Sequence, residues 1–128
     1  MIYLDSSIVL AELLMADRRP PTGLWDEQLV SSALLRYEVW NRIHARGLTV
    51  THGEDVRLLL SRVFFFDLRT DILDRALHPF PIAVRTLDSL HLATVHYLYG
   101  HEREIVLASY DRRLLAAAAA LGIEAAPL

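Results

Sequence analysis

Met1-Ile-Tyr-Leu-Asp-Ser-Ser-Ile-Val-Leu-Ala-Glu-Leu-Leu14 opens the chain and decides how the rest is read. The apolar run from Ile2 fits a short strand over Ile2–Asp5, which ends on an aspartate. Two serines follow, then apolar residues at helical spacing. The pattern predicts a helix over Ser7–Ala16 with Ser6 or Ser7 as its cap. A strand running straight into a helix is half of a β-α-β unit, and a carboxylate at that junction sits where such folds gather their chemistry.

Outward from this unit the same alternation continues. Arg18-Arg-Pro-Pro-Thr-Gly23 is a loop, because its prolines deny it a helix interior. Leu29–Ser32 reads as a strand, Ala33–Arg46 as a helix ending at Gly47, and His52–Arg62 as a helix with Val56, Leu59, Leu60 and Val63 along one side. Val63–Asp67 is a buried strand candidate. Thr70–Leu77 is a short helix stopped by Pro79 and Pro81. Thr86–Tyr99 is a helix, Ile105–Ser109 a strand, and Asp111–Leu121 an alanine-rich helix. Ile123–Ala125 is a candidate for a last edge strand. Strands alternating with helices predict an α/β fold with a mainly parallel sheet covered on both faces. No repeat or linker divides residues 1–128, so one domain is expected.

Composition removes several classes of function. The chain has 128 residues, 53% of them hydrophobic, enough for a real core. Its formal net charge of −3 argues against duplex nucleic-acid binding by charge alone. Without cysteine there is no disulfide, thiolate metal site or cysteine nucleophile. All 13 basic residues are arginine, which excludes any mechanism that needs a lysine. The longest apolar stretch, residues 114–123, is too short to span a bilayer, and no basic region precedes an apolar segment at the N-terminus. A cytoplasmic protein is the expectation. The five glycines form neither GxGxxG nor a P-loop, and no GxSxG elbow is present. A receiver domain lacks its lysine here, and a haloacid-dehalogenase-type phosphatase would need DxD where the chain has Asp5-Ser-Ser.

Four carboxylates remain. Asp5 ends the first strand, Glu38 lies on the apolar side of its helix beside Leu34, Leu35 and Val39, Asp88 opens the helix Thr86–Tyr99, and Asp111 follows the strand Ile105–Ser109. An α/β fold brings strand ends and helix starts to one sheet edge. Acids gathered there repel one another unless a cation neutralises them, which points to a hard divalent ion, Mg²⁺ or Mn²⁺. Each acid also has a plainer reading. Asp5 and Asp111 suit helix N-caps, Asp88 suits a helix dipole, and Glu38 suits an arginine partner. Ser6, Ser7 and Ser109 supply hydroxyls able to orient metal-bound water, or ordinary caps. His91, His96 and His101 are five apart and do not share one helical face; His91, one turn after Asp88, is placed to approach the acids but reads more simply as a core or rim residue.

Together Ile2-Tyr-Leu-Asp-Ser-Ser-Ile-Val9, Leu35-Arg-Tyr-Glu-Val39, Leu87-Asp-Ser-Leu-His-Leu-Ala93 and Ser109-Tyr-Asp-Arg-Arg-Leu114 resemble the motifs of a PIN-domain ribonuclease, more narrowly a VapC-type toxin of a type II toxin–antitoxin pair. Ser6 and Ser109 stand where that family often has threonine, and both keep the hydroxyl. The resemblance implies a three-layer α/β/α sandwich with about five strands in order 3-2-1-4-5. It implies Mg²⁺- or Mn²⁺-dependent in-line cleavage of single-stranded RNA, with Asp5, Glu38, Asp88 and Asp111 as direct or water-mediated ligands. Arginines at the rim would offset the repulsion of phosphate from an acidic pocket, and Arg18, Arg19, Arg112 and Arg113 are the candidates. A VapB-type antitoxin and a homodimer are implied as well. Leu10, Leu13, Leu14, Leu24 and Trp25 read either as core or as the lining of a partner groove. Two rival readings are a metal-dependent DNA nuclease and a non-catalytic nucleic-acid- or protein-binding module on the same scaffold.

Overall fold

A computed structural model describes all 128 residues. The elements in chain order are β1 (Ile2–Leu4), α1 (Ser6–Leu13), β2 (Leu29–Ser32), α2 (Leu34–Ala45), α3 (Thr49–Leu60), β3 (Val63–Phe66), α4 (Thr70–Ala76), α5 (Thr86–Tyr99), β4 (Val106–Ala108) and α6 (Arg112–Ala119). A short 3-10 helix at Thr22–Asp26 follows the proline loop. The four strands form one sheet in the order β3-β2-β1-β4, and every pairing is parallel. The expected fifth strand is reduced to a single parallel bridge between Ala125 and Leu107. It lies against β4, on the edge where an order of 3-2-1-4-5 requires it.

Alternation along the strands explains the layers. Leu4, Leu29, Val63 and Ala108 join a buried cluster with Ile8 and Val9 of α1, Leu35, Val39 and Ile43 of α2, and Val56 of α3. Tyr3, Val30 and Leu107, the neighbouring strand residues, join the opposite cluster with Leu92, Val95 and Leu98 of α5 and Leu114, Ala117 and Ala118 of α6. Successive strand side chains point to opposite faces, so a three-residue strand serves both cores. The result is an α/β/α sandwich. Leu13 and Leu24 are core residues, while Leu10, Leu14 and Trp25 are half-buried against the same cluster.

Two helix ends differ from the sequence reading by three residues, and the others by at most two. α1 stops at Leu13, not Ala16, because Met15 takes a left-handed φ of 50°. α3 starts at Thr49, three residues before His52, directly after a tight link in which Gly47 takes φ of 68°. No helix is long and apolar enough to cross a membrane. Because all strands are parallel, their carboxyl ends share one edge, and Asp5, Ser32 and Ser109 each lie there, at or just beyond a strand end.

Candidate active site

Asp5 sits at the N-cap position of α1, yet its side chain caps nothing; α1 begins at Ser6, and neither serine serves as the expected cap. The carboxylate is buried and takes two hydroxyl donors instead. Ser7 donates to its Oδ2 at 2.7 Å and Ser109 to the same oxygen at 2.8 Å. Each hydroxyl also accepts a backbone N–H, Ser7 from Tyr110 at 3.0 Å and Ser109 from Asp111 at 2.9 Å. The segment after β4 is thereby laced to the end of β1. Both donors converge on Oδ2, which leaves Oδ1 of Asp5 without a protein partner.

Asp111 does cap its helix. Its Oδ1 accepts the amides of Arg113 at 2.9 Å and Leu114 at 3.2 Å, so two of the first orphan N–H groups of α6 are satisfied. Asp88 lies in the first turn of α5, where the helix dipole favours an anion. No protein donor bonds it. Burial raises its pKa above the ordinary value, the charges of Asp111 and Asp5 raise it further, His91 opposes them, and Glu38 adds the smallest increment.

Glu38 finds its partner in a histidine rather than an arginine. Its Oε1 meets Nε2 of His91, which is fully buried on α5. His91 Nδ1 lies 2.8 Å from the hydroxyl of Tyr3, itself fully buried on β1, and burial drives the Tyr3 phenol far above its usual pKa. His91 is thus a core histidine, as its spacing suggests, but one that reaches the candidate site. Sequence reading did not foresee this contact. The one signal was its position a single turn after Asp88.

All four acids line one cleft of about 580 Å³, together with Ser6, Ser7, Leu10, Thr86, Leu87, Arg42 and Arg85. The arginines here are not those expected for the rim. Arg18 lies in an adjoining groove of about 420 Å³, with its guanidinium 4.3 Å from the centre of the Tyr110 ring. Arg19, Arg112 and Arg113 are exposed and line neither recess. Arg42 and Arg85 lack any sequence motif; only the fold, which brings α2 and the start of α5 to the same cleft from separate sides, places them there. The donor set is all hard oxygen, which fits Mg²⁺ or Mn²⁺ and not a soft ion. No three carboxylates or imidazoles stand close enough together to share one ion as placed.

A sequence model of the PIN domain matches residues 2–121. The chain is 33% identical to Ribonuclease VapC46 of Mycobacterium tuberculosis (strain ATCC 25618 / H37Rv), a match that covers 95% of this chain and 93% of that protein. The parallel sheet, the strand-end carboxylates and these two matches agree, and the chain belongs to the PIN domain family, with its likeness there to the VapC-type ribonucleases.

Proposed function

We propose that this chain is a Mg²⁺- or Mn²⁺-dependent endoribonuclease that cleaves single-stranded RNA and acts as a growth-inhibiting toxin. The observation that carries the reading is a cleft lined by four carboxylates, one of which, Asp88, is partly buried, faces the charge of its neighbours and has no protein partner. Such repulsion is relieved when a cation enters. Asp5, Glu38, Asp88 and Asp111 would hold the ion, directly or through water. When bound, the ion supplies Lewis-acid polarisation of the scissile phosphate and a more acidic water.

The chain's own residues do the rest. Ser7 and Ser109 fix Asp5 so that one oxygen faces the cleft, and Ser6 stands ready to orient solvent at its mouth. Arg42 and Arg85 hold phosphate oxygens by charge-assisted bonds and offset the repulsion of RNA by the acids. Water attacks phosphorus in line, the P–O3′ bond breaks, and the products carry a 5′-phosphate and a 3′-hydroxyl. Residues 1–128 act as one PIN domain in the cytoplasm, as a homodimer, and a VapB-type antitoxin covers the cleft. The name of the relative as a ribonuclease supports the substrate class.

Matched single-stranded RNA and DNA, incubated with the purified chain and Mn²⁺, test this directly. RNA cleavage with 5′-phosphate ends, abolished by chelation, is the expected result. Cleavage of DNA alone would replace the reading with a DNA nuclease, and binding of Mn²⁺ without cleavage of either would make the chain a binding module.

A further inference from the structure

Three buried groups behind the cleft form a directed chain. The Ser32 amide donates to the Tyr3 hydroxyl oxygen at 3.1 Å. The Tyr3 hydroxyl faces Nδ1 of His91 at 2.8 Å, and Nε2 of His91 faces Oε1 of Glu38. Tyr3 and His91 have no solvent exposure, and the Glu38 side chain is 16% exposed, at the cleft wall. His91 is the one protein group bonded to Glu38.

We infer that His91 is a positioning residue for Glu38, held by Tyr3 in the Nε2–H tautomer so that one carboxylate oxygen is fixed and the other is turned to the cleft. The direction follows from counting hydrogens. A carboxylate only accepts, so the imidazole hydrogen that meets Glu38 lies on Nε2; the Tyr3 oxygen receives the Ser32 N–H, has the Ser31 and Thr94 hydroxyls beside it, and keeps one O–H that Nδ1 can accept. A ring nitrogen that accepts carries no proton, so the imidazole hydrogen lies on Nε2 and is donated to Glu38. The T-shaped Tyr3–His91 contact, with ring centres 5.8 Å apart, fixes the ring plane. Burial on every side leaves the imidazole no water with which to exchange partners. The peptide of β2 is thus connected through β1 and α5 to an acid on α2, which orders the acid before any ligand arrives. What Glu38 is held for rests on the nuclease reading above; the tautomer and the hold do not.

The test uses the intact chain and three variants. ¹⁵N NMR of wild type should show His91 with Nδ1 unprotonated and Nε2 protonated, and Tyr3→Phe, nearly isosteric in the core, should lose that single-tautomer pattern. His91→Leu should weaken Mn²⁺ binding by calorimetry and lower kcat for RNA cleavage by about 10–100-fold with little change in KM. His91→Gln carries an amide N–H where Nε2 stood and should recover most of both. An Nδ1–H or doubly protonated His91 in wild type overturns the inference. So does a folded His91→Gln as impaired as His91→Leu, which would make the residue a packing element only. If wild type cleaves no RNA, the nuclease reading fails, while the NMR pattern and Mn²⁺ affinities still decide the role of His91.

Discussion

Ser109 donates a 2.8 Å hydrogen bond to Oδ2 of Asp5, tying the carboxyl ends of the two adjacent strands β4 and β1 across 104 residues of chain. The bond is buried and charge-assisted, and the same hydroxyl accepts the Asp111 amide. Ser109→Ala should therefore lower stability by about 1.5–3 kcal/mol, the usual range for a bond to a charged group. Ser109→Thr should lose far less. Chemical denaturation of the two variants checks this; equal midpoints for alanine and wild type would mean that Asp5 is held by Ser7 alone.

Asp111 has two separable roles. Its Oδ1 caps α6, and its charge contributes to the repulsion on Asp88. Asp111→Ala should cost about 0.5–2 kcal/mol through the lost cap. Asp111→Asn keeps an acceptor oxygen and should melt close to wild type while losing cleavage. Thermal melts and the RNA assay, run on both variants, separate cap from charge.

The raised pKa of Asp88 sets a pH dependence of stability. A carboxyl whose folded pKa lies above its ordinary 3.8 contributes its stabilising, protonated form fully below that value, and loses the contribution as pH rises through the folded pKa. With chelator present, Asp88→Asn should melt with wild type in strong acid and above it at neutral pH. The gap should open from the ordinary carboxylate range upward. A gap independent of pH would show that Asp88 is not the strained group.

Mn²⁺ should raise the melting temperature, because an ion that binds only the folded cleft stabilises it by mass action. Glu38→Gln should gain less. Equal shifts in the two proteins would leave Glu38 as a structural acid bound to His91.

Local patterns carried much of the outcome. The run Ile2–Leu4 followed by apolar residues at helical spacing marked β1 and α1, and the same logic found α2, α5 and β4. The position of Asp5 at a strand end was legible for the same reason. What sequence did not reveal came from contacts between distant segments. His91 and Glu38 are 53 residues apart, and neither carries a sign of the other. Arg42 and Arg85 enter the cleft only because α2 and α5 approach it from separate sides. Backbone conformation hid the early end of α1, since nothing in Met15 itself announces a positive φ. The last strand shrank to one bridge because the residues around Ala125 pair with β4 only at Leu107.

The most direct test of the central claim is RNA cleavage by Asp5→Asn beside wild type, both purified and folded, in Mn²⁺. Asparagine keeps the shape and an acceptor for Ser7 and Ser109 but removes the charge of the proposed ligand. Cleavage lower by at least about 100-fold, in a variant that still melts cooperatively without Mn²⁺, is the predicted result. Wild-type cleavage in the folded variant would contradict the assignment of this cleft as the nuclease site.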